Sequence, residues 1–165
     1  MNVERFKKAT GATTIDETSP VWKDWKRKQV TEFLKGLVQR TRELRPHIRV
    51  STTGCMPYVR AYEEAFQDWP SWINKGIVDF TTVMDYSTTP QEYERWITNA
   101  KTKTADFKKV NIGLGAYKST GSREIFEREY RICEASGAGA CVVFHYNSLL
   151  QNPALSAFFN NPKGH

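Results

Sequence analysis

Val78-Asp79-Phe80-Thr81-Thr82-Val83-Met84 is a short apolar and β-branched run that stops against a polar and aromatic pair, Asp85-Tyr86. It reads as a strand. Three more runs share its form: Ile48-Arg49-Val50-Ser51-Thr52-Thr53, Val110-Asn111-Ile112-Gly113-Leu114-Gly115 and Ala140-Cys141-Val142-Val143-Phe144. The four runs start 30, 32 and 30 residues apart. A strand, a loop, a crossover helix and a second loop together take about 30 residues. The spacing therefore reads as four consecutive βα units of a parallel sheet. Parallel sheets place their chemistry just past the carboxyl ends of the strands. Those positions hold Asp85-Tyr86, Tyr117-Lys118 and His145-Tyr146.

The stretches between the runs read as helices. Ser19-Pro20 suits a cap and a first turn. After it, Trp22, Trp25, Val30, Phe33, Leu34, Leu37, Val38 and Leu44 recur with a helical period, so one apolar face is expected, with Lys and Arg on the other. Pro46 stops this helix. Residues 62–74 read as a helix with an aromatic side, bent or broken by Pro70 and ended by Lys75-Gly76. Ser87-Thr88-Thr89-Pro90 starts a helix carrying Tyr93, Trp96, Ile97 and Ala100, and residues 122–135 form another, capped by Gly137. Residues 1–20 are a lead-in: a short helix at 3–10, then a loop long enough to cross the top of the sheet. A terminal helix at 153–159 precedes a tail, 160–165, expected to fray. The expected organisation is a single domain over residues 1–165.

With 39% hydrophobic and 25% charged residues, the composition is that of a soluble globular protein. No apolar stretch approaches the roughly 20 residues that span a bilayer, so no membrane partner is expected. The start, Met1-Asn2-Val3-Glu4-Arg5-Phe6, has no apolar signal region; the compartment stays open. The net charge is +6, but the basic residues are dispersed among acids. The densest cluster, Lys23, Lys26, Arg27 and Lys28, reads as a solvated helix face, and no nucleic-acid partner is expected. Cys55, Cys133 and Cys141 lack paired metal spacing and read as free thiols, the last two buried. No metal site and no cofactor are expected; His47 at a strand start and His165 in the tail are remote from Asp85.

A closed (β/α)8 barrel takes about 250 residues and eight units. This chain has room for about half. It fits either a small open doubly wound sheet or the carboxyl half of a barrel. Open nucleotide-binding sheets carry a glycine-rich phosphate loop after the first strand, and none is present. Gly113-Leu114-Gly115 lies within a strand and lacks the third glycine.

From Asp68-Trp69-Pro70-Ser71-Trp72-Ile73-Asn74-Lys75-Gly76 into Ile77-Val78-Asp79-Phe80, the chain resembles the second half of the glycosyl-hydrolase-like, family-ten-like TIM-barrel proteins. Their pattern is a tyrosine-rich helix ending in tryptophan, a Gly-Trp-hydrophobic-Asp step, and a strand with a polar and aromatic end. Ile77 stands at the second tryptophan. Residues 22–45 with Pro46-His47-Ile48-Arg49-Val50-Ser51 resemble the preceding helix and strand. Gly113-Leu114-Gly115-Ala116-Tyr117 and Gly139-Ala140-Cys141-Val142-Val143-Phe144-His145-Tyr146 resemble the seventh and eighth strands. The resemblance covers most of residues 3–150.

It implies an α/β fold of four consecutive βα units, the second half of a (β/α)8 barrel, with a carbohydrate substrate and hydrolysis of O-glycosidic bonds when the barrel is complete. Closure would come from a homodimer or from an amino-terminal half carrying strands one to four. The acidic strand-four motif of the relatives is not in this chain. At strand six, the usual Pro-Gln-hydrophobic-Tyr-Trp is replaced by Val83-Met84-Asp85-Tyr86-Ser87. That form resembles chitinase-like barrels, whose strand-six ends carry Met, Tyr and Asp close together.

Glycoside hydrolysis needs two carboxyl groups flanking the scissile bond. Asp85 is the acid at a strand's carboxyl end, and is the expected catalytic residue; the bland alternative is an Asp accepting backbone bonds in a loop. Tyr86, Tyr117, His145 and Tyr146 are the expected substrate-binding residues, against packed aromatics with satisfied polar atoms. Lys118 suits the rim or a solvated loop. The helical spacing of Trp69, Trp72 and Trp96 suits core packing better than sugar stacking. Asp79, at the start of its strand, lies at the stability face. The competing reading is a non-catalytic half-barrel that binds sugars or another protein.

Overall fold

The computed structural model describes residues 2–118 and 122–160. The tail beyond Asn160, with His165, lies outside them. Four parallel strands form one sheet: β1 (Ser51–Cys55), β2 (Phe80–Asp85), β3 (Val110–Gly115) and β4 (Ala140–Phe144). Their spatial order is their chain order, β1-β2-β3-β4. A doubly wound sheet reverses direction at a switch point; this sheet never does. It is singly wound, as four successive units of a (β/α)8 barrel are, which removes the doubly wound alternative.

Helices intervene between strands. A lead-in helix, α1 (Asn2–Thr10), precedes α2 (Pro20–Leu44) and β1. Two short helices, α3 (Tyr58–Glu63) and α4 (Trp69–Asn74), join β1 to β2; α5 (Pro90–Lys103) joins β2 to β3; α6 (Arg123–Ala135) joins β3 to β4. Two further helices, α7 (Tyr146–Leu150) and α8 (Pro153–Asn160), follow β4. The caps follow the sequence. Ser19, Asp68, Thr89 and Ser122 each accept a backbone N–H of the helix they precede, and proline follows in the first turn of α2, α4 and α5. Gly76 and Gly137 take positive φ just past α4 and α6.

Two expectations about the helices change. The single helix over 62–74 is two, because the chain breaks at Phe66, which takes φ 56°; Pro70 sits in the first turn of α4 rather than at a bend. The apolar arc of α2 is wider than one contact can cover. Leu34 and Val38 are buried, whereas Phe33 (73% exposed), Leu37 and Leu44 form a stripe in solvent, about 100° round the helix. The lead-in folds onto α2: Phe6 meets the Trp22 ring edge-on at 4.9 Å and the Trp25 ring at 5.5 Å. The cations of α2 are partly tied down, with Lys23 pairing with Glu63 at 2.9 Å and Arg27 donating to Tyr62 O at 2.8 Å.

Register assigns each strand residue to a face. Val83, Ile112 and Leu114 turn to the helices and are fully buried. Gly54 shares that side, where an added Cβ would lie 2.7 Å from the Trp69 ring. Thr53, Met84, Gly113 and Phe144 belong to the other face, the interior of a closed barrel. On this unit that face is partly open, with Val142 and Phe144 exposed.

The expected free thiols at 133 and 141 are corrected: Cys133 and Cys141 form a disulfide. Cys133 lies on the buried face of α6 and Cys141 on the helix-facing side of β4, eight residues later in the chain. Cys55 is free. At the amino end of the sheet, Asp79 accepts the Val50 N–H at 2.6 Å and pairs with Arg42 at 3.1 Å. The Val50 bond holds its carboxyl below the usual range. None of the described helices is long and apolar enough to cross a membrane.

Candidate functional site at the strand ends

Two glycines in β3 shape the open face at its carboxyl end. A Cβ on Gly115 would lie 3.3 Å from Tyr86 Cδ1 and 3.4 Å from Tyr117 Cε1, and one on Gly113 would lie 3.4 Å from Tyr86 Cε1. The Tyr86 ring thus folds back from the end of β2 and lies over these glycines. Phe144, at the end of β4, stacks with Tyr86 at 5.8 Å and 26°. Tyr117 meets Tyr86 edge-on at 5.6 Å, and His145 stacks with Tyr117 at 6.4 Å and 25°. Aromatic pairs favour these offset and edge arrangements. The result is a continuous aromatic platform across β2, β3 and β4.

His145 is set by α7, which it caps: its Nδ1 accepts the Ser148 N–H at 3.2 Å. In the neutral ring, the proton is therefore on Nε2. The peptide bond between Phe144 and His145 is cis. Tyr146 is 70% exposed in the first turn of α7 and belongs to no ring cluster among the described residues. Of the five expected site residues, Tyr86, Tyr117 and His145 come together, while Tyr146 stands apart.

Beside the platform a cleft of about 370 Å³ opens over the ends of β1 and β2. Cys55, Met84, Tyr86, Tyr117, Lys118 and, from α3 and α5, Arg60 and Trp96 line it with Met56. Lys118 donates from Nζ to Tyr86 O. A second hollow, about 400 Å³ and lined by Glu94, Lys101, Arg128 and Arg131 among others, lies between α5 and α6. None of its lining residues comes from a strand or a strand-end loop.

Asp85 lies elsewhere. It shares the helix-facing side with Val83 and is 1% exposed. Among the described residues neither of its carboxylate oxygens has a partner within hydrogen-bonding geometry, Ser87 being the nearest donor; Tyr93 Oη on α5 and Glu129 Oε1 on α6 also lack one. Burial pushes the Asp85 carboxyl up to about 8, and nearby Glu129 adds to the rise. Ser87 opposes part of it, although its hydroxyl donates to Thr89 O at 3.4 Å. Burial likewise lifts Glu129 to about 7, partly countered by Lys118, and raises the Tyr93 hydroxyl. Among the described residues no acidic side chain, Asp85 included, lines the strand-end cleft. No group of three or more metal-type ligands occurs among the described residues.

The sequence reading missed Glu129, Arg60 and the glycine floor. Glu129 had a signal, since it falls on the helical stripe between Phe126 and Cys133, both buried. The strand β1 runs Ser51–Cys55, starting three residues and ending two residues later than the expected 48–53, which brings Cys55 to the cleft rim.

A singly wound parallel sheet with its polar and aromatic residues gathered past the strand ends defines a barrel-type α/β unit. The family model described as glycosyl hydrolase-like 10 matches residues 1–130, and the chain belongs to this family. The match spans β1 to β3 and most of α6. No curated protein and no solved structure matches the chain. Family and fold together make this a carbohydrate-related domain.

Proposed function

We propose that the carboxyl-end face of this half-barrel binds carbohydrate, and that O-glycosidic hydrolysis requires carboxyl groups from outside this four-strand unit. One observation carries the reading: the platform of Tyr86, Tyr117, Phe144 and His145 beside a cleft with no carboxylate in its lining among the described residues. Sugar rings offer C–H faces to aromatic rings and hydroxyls to tyrosine and histidine. Hydrolysis needs two carboxyl groups on either side of the bond. The closing strands would come from a second copy of the chain or from an amino-terminal barrel half. Light scattering behind a sizing column separates these, a dimer favouring the first.

A hydrolytic role for Asp85 has one observation in its favour. A carboxyl raised to about 8 is largely protonated at neutral pH, as a general acid must be. Its place on the helix side of β2 is the argument against. The test is to incubate the chain with a panel of oligosaccharides, following binding and reducing-end release together. Binding with no product is expected, retained in Asp85→Asn. Product release that stops in Asp85→Asn would instead assign catalysis to this unit.

A further inference from the structure

We propose that the strand-end cleft selects glycans bearing negative charge, carboxylate or sulfate ester, over neutral ones; this rests on the carbohydrate-binding reading above. Both ionisable side chains in the lining with a fixed charge are cations, Arg60 and Lys118, and the remaining walls are aromatic or sulfur-bearing. The hollow between α5 and α6 sets Glu94 among its cations instead.

The two cations are placed differently. Lys118 directly follows Tyr117 of the platform, and its bond to Tyr86 O holds the ammonium beside the aromatic surface. An ammonium has three N–H donors, so two more serve a ligand. Arg60 comes from α3, beyond the end of β1. Its Nε faces Glu64 Oε2 at 3.5 Å with both side chains well exposed. Its terminal nitrogens make no hydrogen bond among the described residues, and suit the two oxygens of a carboxylate or sulfate. Both cations line the same cleft as Tyr117, within which a bound pyranose would meet them. The net charge of +6 attracts an anionic chain in the same sense.

A single experiment tests this. Titration calorimetry would compare a galactan tetrasaccharide, a galacturonate tetrasaccharide and a sulfated galactan tetrasaccharide at low and high salt. At least one charged form is expected to bind about tenfold tighter than the neutral one at low salt, and salt should reduce that ratio. Whichever charged form wins names the anionic group. In the double variant Arg60→Gln, Lys118→Gln, whose fold is checked by thermal melting, the charged-to-neutral ratio should fall to near one. A neutral glycan that binds as well as or better than both charged forms overturns the inference and leaves the carbohydrate reading standing. So does a charge preference that persists in the double variant. Binding of no glycan overturns both.

Discussion

Asp85 and Tyr86 are neighbours in the chain and lie on opposite sides of the sheet. The Tyr86 ring covers Gly113 and Gly115 on the open face, while the Asp85 carboxyl is buried toward Tyr93 and Glu129 on the helix side. The pleat turns successive side chains to opposite faces. A position on the helix-facing side of a parallel strand calls for an apolar side chain. An acid there leaves unpartnered oxygens in the core, a costly arrangement with consequences for stability.

Stability should fall as pH rises. Asp85 and Glu129 are raised by burial to about 8 and about 7, against ordinary values of 3.8 and 4.5. The folded state then holds protons that the unfolded chain has released, so their stabilising effect is complete below pH ~4 and is lost as pH climbs through these raised values. Each pH unit separating a group's folded and unfolded titration corresponds to ~1.4 kcal/mol. Urea midpoints are expected to decline from pH 5 to pH 9 by an amount worth a few kcal/mol, and Asp85→Asn should flatten much of the slope. A rising profile would contradict the burial of this pair.

The glycine floor makes two substitutions behave differently. In Gly115→Ala the atoms nearest the new methyl are ring carbons of Tyr86 and Tyr117 at 3.3–3.4 Å, which can give way. Glycan binding should weaken with little change in melting temperature. In Gly113→Ala the methyl meets Val83 O, backbone of the adjacent strand, at 2.9 Å. That cannot shift without disturbing the sheet, and a loss of about 1–3 kcal/mol is expected in urea denaturation.

Thiol titration of the unfolded, unreduced chain should find one reactive cysteine, Cys55, and three after reduction. The disulfide closes a loop of eight-residue separation. Loop entropy alone makes this worth about 2–3 kcal/mol, so reduction, or Cys133→Ser with Cys141→Ser, should lower the urea midpoint accordingly.

Asp79→Asn should act on stability alone. It weakens the acceptor for Val50 N–H and breaks the Arg42 pair at the amino end of the sheet, for a cost of about 1–2 kcal/mol. Glycan affinity should stay unchanged, because the proposed binding face is at the other end of the strands.

The 30-residue spacing made the four strands and their parallel pairing legible. Serine, threonine and aspartate before proline or an apolar period marked the helix starts. The face each residue takes was less legible. Asp85 looked like a site residue because of its place at a strand end, but its face depends on register, which β2 shares with β1 and β3. The Cys133–Cys141 bond depends on how α6 packs on β4, and nothing local in the sequence reports that angle. The exposed stripe of Phe33, Leu37 and Leu44 has the same helical period as a buried one; only the extent of the contacting surface separates them.

The most direct test of carbohydrate binding at the platform is glycan affinity of the chain beside its Tyr117→Ala variant. Tyr117 is partly exposed, closes the platform against Tyr86 and His145, and can be removed without opening the core. Measurable binding by the unaltered chain and a loss of about tenfold in the variant are predicted, with matching thermal melts. Equal affinity in both proteins, or no glycan bound by either, would contradict it.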